Sequence, residues 1–258
     1  MRYRIFSKFL IVVFLFSLGI CSCKKDTSYY KDSGTINPVY NGNSLDYLKA
    51  KGYQFDSLVK IIHLAGLDDV IAHGAYTFFA PADSSIALSV QVLNANLKMT
   101  GKDTVSDLSQ IDSSVWRQTL SMYIFDSVRK VVDYPQLDFN AIPSFHGQAY
   151  TCYGGVRIMN IGAIYDDAAG VKYAGYRHLV LSYIPSYSAP LINWINANVA
   201  SSDILTSNGV IQALRYVGEK GVIVVGGSVI TSTNSVYFGF DPYVFYLNVI
   251  NTGIAPRE

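Results

Sequence analysis

Three observations predict an α+β fold. Apolar residues recur at helical spacing through most of 44–123. Strand patterning takes over from about Val128. A single alternating run, Tyr76–Ala80, interrupts the helical half and is stopped by a proline. Helices and strands segregated along a chain, rather than strictly alternating, build α+β layers. Half of the residues are apolar and only 15% are charged, a composition that packs a core rather than one that stays disordered.

The helical half reads in order from Ser44, placed to cap a short helix that carries Leu45 and Leu48 and stops at Gly52. Phe55, Leu58, Val59 and Ile62 share one face of a second helix that ends at Gly66, and Leu67, Val70 and Ile71 extend that stripe by a turn. Tyr76, Phe78 and Ala80 then alternate with Thr77 and Phe79, the period of a strand. Pro81 closes the strand because it has no N–H to give. Asp83 is placed to cap the following helix, whose apolar positions are Ile86, Val90, Leu93 and Leu97. Asp112 opens one more, with Val115, Trp116, Leu120 and Tyr123 inward.

In the second half, Tyr150–Tyr153 and Val156–Ile161 flank Gly154-Gly155 as a hairpin. Arg177–Ile184 is a longer strand with Leu179, Leu181 and Tyr183 on one face, preceded by a loop at Asp166–Gly170. Asn208-Gly209 lies between apolar flanks and is built of residues that adopt positive φ at low cost. Asp203 is placed to bond backbone amides at the preceding bend. Gly221–Val225, Val236–Phe240 and Tyr243–Val249 read as strands broken by Gly226-Gly227 and Asp241-Pro242, so 217–258 is expected to be a C-terminal β-rich extension of the same domain.

The N-terminus is a targeting segment. Arg2, Arg4 and Lys8 precede the apolar run Phe9–Ile20, which is shorter than the roughly 20 residues that a helical membrane span needs. Cys21-Ser22-Cys23 and the charged Lys24-Lys25-Asp26 follow directly. A small residue before a cysteine at this place resembles the cleavage box of bacterial lipoproteins. That resemblance implies a signal peptide over 1–22, acylation of Cys23 and a lipid-anchored tether over 23–43; Cys21 is the second choice, and an ordinary secretory cut is the other reading. The charged run resembles the export signal of surface-exposed lipoproteins in some Gram-negative bacteria; with it the anchor is expected at the outer membrane, with surface display the first reading and a periplasmic-facing anchor the other. A cut before Cys23 removes three cations and moves the formal charge from +1 to −2. No strong field toward nucleic acid remains. Only Cys152 is then left as a thiol, so no internal disulfide forms.

Two blocks carry a family resemblance. Thr77, Phe79, Ala80, Pro81 and Asp83 match the first signature segment of fasciclin-like domains, and Asp203, Ile204, Asn208, Gly209, Val210 and Ile211 match the second. The resemblance covers about 44–216 and implies a wedge of twisted antiparallel strands with packed helices, acting as an extracellular module for adhesion or protein–protein interaction. Two family histidines are replaced: Gln212 stands after the Val-Ile pair, and Tyr123 is followed by Ile124. Asp203-Ile204 corresponds to a pair tied to adhesion in animal relatives, and a buried turn with a core isoleucine is the preferred reading of it.

Catalytic signatures are missing from the sequence. It holds no phosphate-cradling glycine loop, no His-Glu-x-x-His and no Gly-x-Ser-x-Gly. His146 and Cys152 form the one candidate nucleophile pair, against the commoner reading of a buried inert thiol. His63 with His73, Asp68-Asp69 and Asp166-Asp167 lack metal-ligand spacing. No enzyme activity, cofactor or metal is expected. The 20 tyrosines stand out. Tyr173, Tyr176, Tyr183 and Tyr187, with Tyr237, Tyr243 and Tyr246, are the candidate ligand contacts, since tyrosine suits both interfaces and sugar rings. The expected partner is a protein or a polysaccharide. A glycan-binding accessory lipoprotein of a saccharide-uptake system is the alternative to the adhesion module.

Overall fold

The computed structural model describes residues 38–215, 220–225, 228–233 and 236–256. The expected signal segment, Cys23 and most of the expected tether lie outside them. The helical half comprises α1 (Ser44–Ala50), α2 (Gly52–Leu64), α3 (Asp68–His73), α4 (Asp83–Met99) and α5 (Ser113–Ser121), with β1 (Tyr76–Ala80) between α3 and α4. The strands are β2 (Ile124–Asp126), β3 (Gln148–Thr151), β4 (Ile158–Tyr165), β5 (Arg177–Tyr183), β6 (Ile195–Leu205) and β7 (Val210–Leu214). A hairpin of β8 (Lys220–Val225) and β9 (Ser228–Thr233) follows, and then α6 (Pro242–Thr252). The α+β expectation therefore holds.

The main sheet runs β2-β1-β7-β6-β5-β4-β3. Its neighbours are antiparallel except at one place: β1 and β7 are parallel, with Thr77 beside Val210 and Phe78 beside Ile211. The sheet is thus mixed, not purely antiparallel. The parallel pair arises because both strands start at the same end. Asn208, just before β7, donates to the carbonyls of Ile71 and Gly74 just before β1, at 3.0 and 2.8 Å. The sheet also curls back on itself. The Tyr76 ring at the head of β1 meets Tyr153 after β3 at 5.5 Å, and Arg129 after β2 lies 4.8 Å over the Tyr150 ring of β3.

Position inside the sheet explains why the alternation in β1 does not separate a wet face from a dry one. Thr77, Phe78, Phe79 and Ala80 are all buried. Phe79 packs edge-on against Phe125 and Tyr134, at 5.6 and 6.4 Å. The helices cover one side with Leu48, Phe55, Leu58, Ile61, Leu93 and Trp116, all within one apolar cluster. At about 25 cal/mol per Å2 of apolar surface removed from water, this core is the main favourable contribution to folding.

Several local expectations are corrected. Asn43, not Ser44, caps α1 by accepting the Asp46 N–H at 2.9 Å. Gly52 opens α2 instead of ending α1. Gly66 does terminate α2, at φ +62°, with the paired bonds Gly66 N to His63 O and Leu67 N to Ile62 O of a Schellman motif. The compact unit begins at Pro38, ahead of the expected Ser44 boundary, since Leu205 N donates to Pro38 O and Tyr40 N to Leu205 O.

The C-terminal part differs most from expectation. Residues 236–240 form a turn, and 243–249 lie in α6, so the extension is a β-hairpin followed by a helix. Asp241 accepts from Tyr243 N and Val244 N at 2.9 and 3.2 Å, and Pro242 occupies the first helical turn, where a missing N–H costs nothing. This segment belongs to the core. Phe238 and Phe240 stack on Tyr123 at 5.6 and 5.2 Å, and the Tyr123 hydroxyl accepts the Gly239 N–H at 2.8 Å.

Candidate functional site: an uncharged aromatic surface

The two sequence motifs meet, and what they build is structural. Thr77 Oγ1 donates to Ser127 O and accepts from Arg129 N, at 2.8 and 2.9 Å, within a buried strand. Phe79, Ala80, Pro81, Val210 and Ile211 are buried beside it. Asp83 does not cap its own helix. Its carboxylate reaches across to accept from Ser57 N and Leu58 N of α2, at 2.8 and 3.0 Å. Phe55 breaks the helical geometry of α2 at φ −137°, so the amides beyond it need an acceptor, and Asp83 supplies it.

Asn208 acts as a clamp. Its Oδ1 accepts from Ser44 N at 2.9 Å while its Nδ2 serves the two carbonyls before β1. Neither Asn208 nor Gly209 has positive φ, contrary to expectation. Gly209 is required by proximity: a Cβ there would stand 2.4 Å from Tyr76 O. The left-handed residue is Asp203, at φ +58° in an irregular stretch of β6. Its carboxylate accepts from Val131 N at 2.9 Å, and Ile204 is buried. Asp203-Ile204 therefore does the structural work of a tied-down bulge.

The seven candidate tyrosines do not form one row. Tyr183, Tyr237 and Tyr246 are buried. Tyr173 is half-buried, and its hydroxyl donates to Asp138 at 2.9 Å. Tyr176 stacks on His178, and Tyr243 leans on Tyr246. Only Tyr187 joins a larger exposed surface. Its hydroxyl accepts from Ile158 N at 3.0 Å, and its ring flanks the Arg157 guanidinium, which sits 3.9 Å from the Tyr183 ring centre and 5.4 Å from that of Tyr187. Arg157 also donates to Ile184 O at 2.6 Å, so the cation is pinned in place.

The loop that carries Tyr187 exposes further apolar side chains. Tyr187, Leu191 and Ile192 are 52%, 45% and 57% exposed, and Ile158, whose N–H is bound to the Tyr187 hydroxyl, is also exposed. The loop 184–194 that carries the first three is held by its own bonds, Ile192 N to Ala189 O and Trp194 Nε1 to Pro190 O. Trp194 meets Phe139 edge-on at 6.4 Å. A signal for it exists in the sequence: no Asp, Glu, Lys or Arg occurs from Leu179 to Ser202, a stretch that includes this whole loop. Apolar side chains left in water on an ordered, uncharged loop mark contact surfaces in folded proteins.

The titratable groups are dispersed. Cys152 is buried, its sulfur accepts the Arg157 N–H at 3.1 Å, and burial pushes its thiol up. His146 is exposed and lies at the other end of β3, so the two flank a strand instead of facing each other. His63 pairs with Asp68 and His73 with Asp69 on exposed surface. No cluster of three potential metal ligands occurs among the described residues.

The geometry defines an α+β domain in which the residues of both motifs hold the fold and one loop exposes apolar and aromatic side chains. No family model and no curated protein matches the chain. Among solved structures, it is similar to a FAS1 domain pair from the insect cell adhesion molecule fasciclin I, with a TM-score of 0.42 and 15% identity over 67% of this chain. The match spans 49%, about half, of that structure's length.

Proposed function

We propose that the chain is a non-enzymatic interaction module of the fasciclin-like type, held at the outer face of the outer membrane by an acylated Cys23 and binding a protein partner through the loop 184–194. The observation that carries this reading is the exposed apolar side chains of Tyr187, Leu191 and Ile192 on one loop, with the pinned Arg157 against the Tyr187 ring. Interface energy concentrates in such Tyr, Trp and Arg anchors surrounded by apolar contacts. The test compares the detergent-purified full chain with a Leu191→Ser/Ile192→Ser variant as baits for envelope extract. A partner retained by the wild type and lost by the variant supports the reading; identical recoveries refute it. The anchor is tested separately by fatty-acid labelling in cells, which Cys23→Ala abolishes and Cys21→Ala leaves intact on this account.

A further inference from the structure

A second region with ligand chemistry lies away from that loop. A cleft of about 700 Å3 opens between the start of α2, the start of α4, the middle of β6 and the end of β7. That volume falls in the range of small-molecule sites, roughly 300–1,000 Å3. Phe55 and Leu214 line its apolar part, and Gln54, Ser84 and Ser201 bring an amide and two hydroxyls to it. On its rim stand Tyr53, 81% exposed, and the exposed Arg215. Among the described residues no salt bridge engages Arg215, while its backbone N–H is bound to Asn198 O at 2.7 Å and fixes its root. The one acid in the cleft, Asp83, has both oxygens occupied by the amides of α2.

We infer that this cleft binds an acidic saccharide, a chain of uronate residues. Tyr53 offers a free aromatic face to a sugar ring, the amide and hydroxyls suit ring hydroxyls, and Arg215 presents the planar fork that recognises a carboxylate. This places sugar contact on Tyr53, not on the tyrosines of 173–187 or the tail.

The experiment is calorimetric titration of the detergent-purified full chain with oligogalacturonate and oligomannuronate, and with the same oligosaccharides after reduction of their carboxyls to alcohols. Expected is saturable binding of at least one uronate. It should weaken tenfold or more on carboxyl reduction, on Tyr53→Ala and on Arg215→Gln, with partial retention in Arg215→Lys and no change in Tyr187→Ala. All four variants alter exposed side chains, and an unchanged circular dichroism spectrum confirms the fold. Silence on both uronates overturns the inference. So does undiminished binding of the reduced sugars, or a loss confined to Tyr187→Ala.

Discussion

Gln212 and Asp203 are joined in both directions: the Asp203 N–H donates to Gln212 Oε1 at 2.9 Å, and Gln212 Nε2 donates to Asp203 Oδ1 at 2.9 Å. The pair locks a left-handed residue of β6 to its neighbour strand, and the same carboxylate carries the amide of Val131. Gln212 is completely buried, so an amide able to give and accept at once is needed there. Gln212→Ala strands the part-buried Asp203 N–H and is expected to cost about 1–3 kcal/mol, seen as a lower urea midpoint at an unchanged m-value. Asp203→Ala is expected to cost more, because alanine must also hold φ +58°; Asp203→Gly recovers only the backbone part.

The clamp at Asn208 joins the start of α1 to the carbonyls before β1. Asn208→Ala loses all of these bonds and is expected to destabilise by about 2–4 kcal/mol. Asn208→Asp should be worse, since it sets an anion against the Ile71 and Gly74 carbonyls. Gly209→Ala forces the close approach at Tyr76 O apart, and thermal denaturation of the three variants gives the ranking.

Asp83 holds a helix from outside it. Asp83→Ala releases the Ser57 and Leu58 amides at the break in α2 and is expected to cost about 1–2 kcal/mol, the range of a lost cap. Amide hydrogen exchange locates the effect: protection should fall at Ser57 and Leu58, not in the first turn of α4. Equal loss in α4 would mean that Asp83 caps its own helix.

His178 links stability to pH. Burial lowers its pKa, the Asp166 carboxylate 3.7 Å away opposes this, and Arg215 reinforces it. A histidine with a depressed folded pKa adds stability that is complete above its unfolded value, near 6.5, and is lost as pH falls below it. Denaturant midpoints of the wild type and His178→Gln, compared between pH 7.5 and 5, should therefore diverge, the wild type losing more on acidification. Parallel pH curves would remove His178 from the account.

Much of this architecture is legible in the sequence because local chemistry and tertiary structure agree there. Gly66 stops α2, Pro81 stops β1 and Asp112 caps α5, each for a reason contained within a few residues. Where the reading departs from the structure, a distant partner decides. Asp83 looks like a cap for the helix it begins, yet its acceptors serve amides 25 residues away. Gly209 looks like a turn glycine, yet it is needed for the approach of Tyr76, on a strand the chain had left more than a hundred residues earlier. α6 is different. Its β-branched and aromatic residues suggest a strand, but Asp241-Pro242 is a helix-start signature. The exposed loop 184–194 is marked by the absence of charge from Leu179 to Ser202, not by its tyrosine.

On the proposed function, the loop 184–194 meets a protein partner at the cell envelope. This contact is tested most directly by placing a photo-reactive amino acid at Ile192 and, as a control, at Val132, which is 73% exposed, then irradiating intact cells that express each full-length chain. The account predicts a discrete protein adduct at position 192 and none at 132. Adducts no more abundant at 192 than at 132 would contradict it.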